Sequence, residues 1–156
     1  MFLCCWVGVA CGALVVDRDR IRERLSRARD EELAGGGVLG RRPWRLVAGV
    51  CMGAALATKW SALFPLVVLI VLALFWEAGA RRTAGIAAPW RRTLRRTTVA
   101  GLACFVLVPV LVYLATWSGW FFTSNGSDRN WATTHPGTSL LPDALRSLWA
   151  YHRAIS

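Results

Sequence analysis

The sequence predicts an all-α integral membrane protein, on three observations. Of its 156 residues 55% are hydrophobic, and nearly every charge lies outside the apolar stretches 1–16, 46–76 and 99–117. A membrane span needs roughly 20 apolar residues, which the stretch 99–117 supplies. A helix of a soluble core would show a polar face, and residues 101–115 have none. We therefore expect about four membrane helices, including one short hairpin, and further helices at the membrane interface.

Arginine clusters beside the spans predict the topology in a cell membrane. The stretch 17–45 contains nine arginines against six acids, and the stretch 77–98 contains six against one. Because arginine and lysine in short loops stay on the cytoplasmic side, both stretches are expected to be cytoplasmic. The tail 118–156 has three arginines and is expected to be extracytoplasmic. Arginines placed directly beside apolar spans indicate topology and not a nucleic-acid partner.

The first apolar stretch, 1–16, is short for a membrane helix and has no basic residues before it. It is therefore expected to be a partial span whose upstream portion lies outside this chain. Residues 17–30 have Ile21 and Leu25 at helical spacing among charges of both signs. This pattern predicts a helix lying at the cytoplasmic interface, followed by a flexible glycine break at 35–37.

The stretch 46–76 is predicted to fold back on itself as a helical hairpin. As one straight helix, its 31 residues would measure about 46 Å, against a hydrocarbon core of about 30 Å. Both of its flanks are expected on the cytoplasmic side, so the stretch must cross an even number of times. The break is expected at Lys59-Trp60-Ser61, with Pro65 in the first turn of the second helix. One tilted helix is the alternative.

The stretch 99–117 is predicted to be a span bent at Pro109. In the tail 118–156, Pro142 begins an amphipathic helix that is expected on the outer membrane surface. One face of that helix is expected to contain Leu141, Leu145, Leu148, Trp149, His152 and Ile155.

Small residues inside the spans predict how the helices pack. Gly8 with Gly12, and Gly49 with Gly53, lie four residues apart, a spacing that lets helix backbones approach closely. All five cysteines also lie in apolar stretches, without a CxxC or Cys/His cluster. They are expected to be small buried hydrophobes, with no metal and no disulfide. They are Cys4, Cys5, Cys11, Cys51 and Cys104.

Two features are candidates for function. Lys59 is the one lysine beside eighteen arginines, and it lies at the tip of the apolar hairpin. An ionisable residue at membrane depth is a functional candidate, with a snorkelling anchor as the alternative. The second candidate is the polar, aromatic segment 117–131, for which an ordinary interfacial loop is the alternative. The sequence has no Ser/His/Asp set, HExxH motif, phosphate-binding loop or paired carboxylates.

Four segments resemble motifs of the protein O-mannosyltransferases, in order along the chain. Residues 53–61, GAALATKWS, are similar to the family's GLA…KWSG segment, and residues 109–121, PVLVYLATWSGWF, to its P…YLASWxGWF segment. Residues 125–129, NGSDR, resemble its GYDR turn, with Ser127 in place of the usual aromatic. Residues 144–152, ALRSLWAYH, resemble its ALRSLxxYH segment.

The resemblance implies a fragment of a multi-span glycosyltransferase of the GT-C type, similar to actinobacterial members. Such an enzyme takes mannose from polyprenyl-phosphate-mannose outside the cytoplasm and attaches it to Ser or Thr of secreted proteins. The implied donor-binding residues are Lys59, Trp60 and Arg129, and Tyr151 and His152 are implied to shape the acceptor groove. The implied partners are the lipid-linked donor, secreted acceptor proteins, the secretion translocon and membrane lipids, with no cofactor.

The family's acidic pair lies upstream of anything in this chain. The resemblance therefore implies no catalytic residue here, and Asp128 is not assigned that role. The chain is expected to be an internal fragment that is inactive alone. Two alternatives stay open: another GT-C transferase that uses a different lipid-linked sugar or a lipid acceptor, and a transporter or membrane scaffold with Lys59 on a substrate path.

Overall fold

The computed structural model describes residues 1–29, 31, 33, 40–123, 126, 130–135 and 141–155, without the side chains of 96–100, 102 and 155. Within these residues every regular element is helical, which confirms the all-α prediction. They form two compact units, Met1–Tyr113 and Leu114–Ser156. The elements are α1 (Phe2–Arg27), α2 (Pro43–Thr58), a 3-10 turn (Trp60–Ala62), α3 (Leu63–Thr83), α4 (Pro89–Leu102), a π-helical segment (Ala103–Leu107), α5 (Val108–Thr116), α6 (Ser118–Phe122), α7 (Trp131–Thr134) and α8 (Asp143–Ile155).

The core of the first unit forms where α1 packs along α2 and against α3. Small side chains on the facing surfaces of α1 and α2 let the two backbones approach closely, which is how helices associate when lipid surrounds them. Larger side chains of α3 and the π-helical segment close the remaining space. The buried core residues are Ala10, Ala13, Leu14, Ala48, Cys51, Met52, Ala55, Ala62, Leu66, Leu69, Ala73 and Phe105.

One helical stretch in the described part of the chain is long and apolar enough to cross a membrane. It is Trp60–Thr83, which has 24 residues and a mean hydropathy of 2.3, with only 33% of its apolar window buried. Its exposed side chains include Phe64, Val68 and Phe75. An apolar surface of this kind is typical of a helix that contacts lipid or another protein segment. A shorter apolar helix covers Ala103–Thr116, and the expected total of about four spans stays a prediction.

Helix α1 differs from the two separate elements expected over residues 1–30. It runs without interruption from Phe2 to Arg27, since the charged half contains good helix formers and neither glycine nor proline. Ile21 and Leu25 in that half are buried against Ala80 and Ile86. Tertiary packing therefore continues the helix past Val16. The glycine break expected at 35–37 lies outside the described residues.

The basic stretch 77–98, expected as a loop, is mostly helical. Helix α3 continues to Thr83, and α4 begins at Pro89. Gly85, with φ of +72°, allows a Schellman end to α3. The Ile86 N–H donates to the Arg81 carbonyl at 3.0 Å, and the Gly85 N–H donates to the Arg82 carbonyl at 3.1 Å.

The predicted bend at Pro109 corresponds to a change of helix type. The π-helical segment Ala103–Leu107 ends two residues before Pro109. Proline has no N–H to donate to the carbonyl four residues earlier, and its ring crowds that carbonyl. A π-helical turn before proline relieves this conflict while the chain stays helical.

In the second unit α8 packs against α7. Helix α8 begins after Pro142, as predicted. Leu148 and His152 are buried together with Ser147, whereas Trp149 is 67% exposed. The Ala132 N–H donates to Ser147 Oγ at 3.1 Å. Apolar spacing alone does not reveal this polar contact, and the expected position of the apolar face on the outer membrane surface stays a prediction.

The cysteines are free thiols, and they do not share one environment. Cys51 is buried and Cys104 is intermediate. Cys4, Cys5 and Cys11 are exposed, so the expectation of burial is wrong for these three. The reason is that α1 buries one stripe of its surface, and these thiols lie on the remainder.

Candidate functional site

A buried ionic cluster joins the helices at one end of the first unit. Both Arg42 and Arg45, at the start of α2, bond to Glu77 Oε2, at 2.7 and 3.0 Å. Arg81 reaches Glu77 Oε1 at 3.1 Å and donates to Thr93 Oγ1 of α4 at 2.7 Å. Asp17 of α1 completes the cluster. Buried carboxylates require such cationic partners, because an unpaired charge in the interior is strongly unfavourable.

Burial and charge act in opposite directions on Arg42. Burial lowers the pKa of its guanidinium, but the hydrogen bonds that it donates to Asp17 and the charges of Glu77 and Asp17 outweigh burial and raise the pKa. Arg42 therefore stays charged at every physiological pH. This cluster was not predicted from the sequence, because the acidic residues were considered only for topology, to which they contribute little. The available signal was that Asp17 and Glu77 are each the first charged residue after an apolar run.

The ionic cluster also shows that α2 and α3 run in opposite directions. The start of α2 bonds to the last two turns of α3 through Arg45 and Glu77, while the two helices meet at Lys59. The helix ends at Thr58, and Lys59 takes an extended conformation with φ of −161° and ψ of 132°. The chain reversal therefore falls at the break expected from the sequence, and the ionic cluster lies at the opposite end from Lys59.

The turn at Lys59 exposes the predicted donor-binding side chains. Lys59 is exposed, and Trp60 is 57% exposed. The Trp60 indole Nε1–H donates to the Tyr113 hydroxyl at 3.4 Å, and the two rings meet edge to face with centroids 6.4 Å apart. Sequence reasoning did not select Tyr113, although it lies in a motif segment, because nothing local relates it to a turn 53 residues earlier.

Close packing of α2 against the π-helical segment and α5 brings Tyr113 to this turn. A Cβ added at Gly49 would lie 2.1 Å from the Cys104 carbonyl oxygen, and one at Gly53 would lie 2.6 Å from Val112 Cβ. Glycine is therefore required at both positions. Around Gly8 and Gly12 nothing lies within 4 Å, so the expected close approach holds for one glycine pair and not for the other.

An aromatic group in the second unit joins Trp117 to α8. Trp117 contacts Tyr151 at a centroid distance of 5.4 Å and His152 at 4.9 Å, and it meets Trp120 at 6.1 Å. Aromatic contacts of this kind add to the hydrophobic stabilisation. Two motif segments distant in sequence, 109–121 and 144–152, thus come together through their aromatic side chains.

Hydrogen bonds hold α8 in place around this group. His152 Nδ1 lies 2.7 Å from the Leu148 carbonyl oxygen, and because a carbonyl only accepts, Nδ1 must bear the proton. Arg146 donates to the His135 carbonyl at 2.8 Å and to Asp143 at 3.1 Å. Arg146 and Ser147 therefore fasten α8 to the two ends of α7.

Four of the five predicted site residues lie in the described part of the chain, and they form two pairs. Lys59 and Trp60 adjoin at the turn of the first unit, and Tyr151 and His152 adjoin in the aromatic group of the second. His152 is buried, with 8% exposure. Arg129 and Asp128 lie outside the described residues. Among the residues described, no group of three or more His, Cys, Asp or Glu side chains is arranged to hold a metal.

These features first define the class of protein: it is a helical protein with a membrane-capable helix. One end of that helix lies in a buried ionic cluster, and the other end adjoins an exposed turn with an aromatic side chain. Three curated relatives then show which enzymes the chain is similar to. The chain is 40% identical to the polyprenol-phosphate-mannose–protein mannosyltransferase of Mycobacterium tuberculosis over 96% of its length. For the enzyme of the same name from Mycolicibacterium smegmatis the identity is 39% over 99% of the chain. For that from Corynebacterium glutamicum it is 26% over 99%.

The resemblance to protein mannosyltransferases is thus confirmed along nearly the whole chain. The chain spans about 30% of the length of these curated relatives. No protein-family profile matches it, and no solved structure does so either.

Proposed function

We propose that this chain forms part of an enzyme that transfers mannose from polyprenyl-phosphate-mannose to Ser or Thr hydroxyls of secreted proteins. The observation that supports it most is the 39–40% identity to enzymes named for this reaction, sustained over 96–99% of the chain. In the reaction the acceptor oxygen bonds to mannose C1, the bond from C1 to the phosphate oxygen breaks, and the hydroxyl proton passes to a base. We place that base outside this chain.

The proposed topology puts the Lys59 turn on the outer side of the membrane. The helical stretch Trp60–Thr83 is long enough to cross, and it carries Arg81 and Arg82 at the end opposite Lys59. Arginines beside a span favour the cytoplasmic side. The lipid-linked donor waits at the outer leaflet, so Lys59 is available to it. Multi-pass insertion and contact with the secretion translocon belong to the same proposal.

Lys59 is proposed to bind the donor phosphate. The leaving phosphate gains negative charge as the bond to C1 breaks, and a cation at that place stabilises the charge. Trp60 flanks Lys59 and offers an exposed aromatic face to the lipid or the sugar. Arg129 is proposed as a second phosphate ligand. The phosphate leaves with the bonding electrons, and no cofactor is part of this proposal.

Tyr151 and His152 are proposed to shape the acceptor groove from the second unit. Trp117 and Tyr151 are partly exposed and meet edge to face, and the buried His152 packs against Trp117. The two partly exposed rings, supported by His152, are suited to bind an extended peptide through apolar contact and leave the hydroxyl position to other groups. The role is therefore recognition and not proton transfer.

Mannosyl transfer by the complete gene product in membranes tests the proposal. Lys59→Ala is expected to lower kcat/KM for polyprenyl-phosphate-mannose roughly 30-fold, which corresponds to about 2 kcal/mol for charge-assisted hydrogen bonds. Lys59→Arg is expected to recover most of the activity. Arg82→Ala is the matched control, because Arg82 is also exposed but lies at the other end of α3.

Three outcomes would contradict the proposal. Transfer unaffected by Lys59→Ala would remove Lys59 from the site. Equal losses in Lys59→Ala and Arg82→Ala would indicate a general effect of charge on insertion. Competition by a different lipid-linked sugar, with polyprenyl-phosphate-mannose ineffective, would reassign the donor.

A further inference from the structure

We propose that Tyr113 is a positioning residue for the donor phosphate, because it holds the turn that presents Lys59. The inference rests on the proposed function of Lys59. It adds a residue from a helix distant in sequence, and it assigns the hydroxyl of Tyr113 a definite task.

At the turn the backbone of Lys59 is hydrogen-bonded, whereas its side chain is exposed. Lys59 is extended between two helical segments, and its backbone makes two hydrogen bonds: its N–H donates to the Ala55 carbonyl at 3.0 Å, and its carbonyl accepts from Ala62 at 3.0 Å. The side chains of Lys59 and Trp60 both lie at the surface. An exposed lysine loses up to about 2 kcal/mol of side-chain entropy when it is fixed on a ligand. Restraint before binding therefore favours the donor complex.

Tyr113 supplies such restraint from α5. Its hydroxyl accepts the Trp60 indole N–H at 3.4 Å, and its ring lies at 84° to the indole. The indole is therefore held by two contacts at once, on the residue next to Lys59. Gly53 lets α2 pack closely against Val112 of α5, so the residue next to Tyr113 is in contact with the helix that ends at the turn.

The mechanism predicts a loss of donor binding with turnover preserved. Tyr113→Phe removes the hydroxyl and keeps the ring, so KM for polyprenyl-phosphate-mannose is expected to rise about threefold. Tyr113→Ala removes both contacts, and KM is expected to rise about tenfold. In both variants kcat at saturating donor is expected to stay within about twofold of the parent. Leu111→Ala, on an exposed part of the same helix, is the control and is expected to change neither value.

A double-mutant cycle in the complete gene product separates positioning from a general structural role. If Tyr113 acts through Lys59, Tyr113→Phe is expected to raise KM in the parent and to have no further effect in the Lys59→Ala background. Equal threefold effects in both backgrounds would overturn the inference. So would an unchanged KM in Tyr113→Phe while Lys59→Ala raises it, a result that leaves the proposed function intact.

A second measurement does not depend on activity. A thiol in Lys59→Cys, with the native cysteines replaced, is alkylated by an impermeant maleimide at a rate that reports the mobility and exposure of the turn. Adding Tyr113→Phe is expected to raise this rate about twofold to threefold, in line with the loss of one weak hydrogen bond. An unchanged rate would overturn the inference. If Lys59→Ala has no effect on transfer, the proposed role of Lys59 fails and the inference fails with it.

Discussion

Glu77 is the residue on which the packing of the first unit depends most. It has 0% side-chain exposure and bonds to three guanidinium groups, those of Arg42, Arg45 and Arg81. The ionic cluster contains these three arginines with Asp17 and Glu77, so its net charge is +1 by count. Glu77→Gln keeps the shape of the side chain and raises this net charge to +2 by the same count.

The expected effect follows from the burial of these charges. Removing one partner of a buried ion pair destabilises a protein by about 3–5 kcal/mol, because the remaining charges stay buried and unpaired. Glu23 provides the matched control: it pairs with Arg27 one turn away, and its side chain is 56% exposed. Glu23→Gln is expected to cost about 0.3–0.5 kcal/mol.

Reversible unfolding of the purified chain in mixed detergent micelles measures both variants. Glu77→Gln is expected to lower the free energy of unfolding by at least about 3 kcal/mol. Glu77→Gln combined with Arg45→Gln returns the net charge of the cluster to +1 by count and is expected to recover part of that loss. A loss in Glu77→Gln no larger than in Glu23→Gln would refute the assignment of a buried, stabilising cluster.

Two further predictions concern packing and topology. Gly53→Ala is expected to destabilise the chain by about 1–3 kcal/mol through overpacking against Val112, whereas Gly12→Ala is expected to stabilise it by up to about 1 kcal/mol through helix propensity. Thermal unfolding in detergent compares the two variants. Equal effects on stability would contradict the close approach of α2 and α5 at Gly53. For topology, Lys59→Cys and Arg82→Cys in a cysteine-free background are expected to react with an impermeant reagent from opposite sides of the membrane, and labelling of both from one side would contradict the crossing by α3.

Much of the first unit was predictable because it depends on local composition. The apolar stretch 46–76 is longer than one span needs, and Lys59 is the one charged position well inside it. Because a helix cannot bury that charge in lipid at low cost, the break is expected at Lys59. The sequence motifs alone likewise indicate Lys59, Trp60, Tyr151 and His152 as candidates. These patterns do not reveal which residue each of them contacts. A contact between residues 53 positions apart, such as that of Trp60 with Tyr113, leaves no periodic signal in the sequence.

Helix α8 shows the same limit. Apolar spacing groups Leu148, Trp149 and His152 on one face, and it gives no sign that Ser147 is buried beside Leu148. Ser147 Oγ accepts a hydrogen bond from the Ala132 N–H, and a buried backbone donor left without such a partner is costly. Patterns of hydrophobicity do not register such a contact.

The sequence by itself determined the helical class, the membrane-capable helix, the break at Lys59 and the resemblance to protein mannosyltransferases, because each depends on residues near one another in the chain. Only the tertiary structure decided the ionic cluster around Glu77, the close packing at Gly49 and Gly53, and the support of Trp60 by Tyr113. These are pairings between separate helices. They form where the packing of the backbone brings separate helices together, and buried charges in particular require partners there.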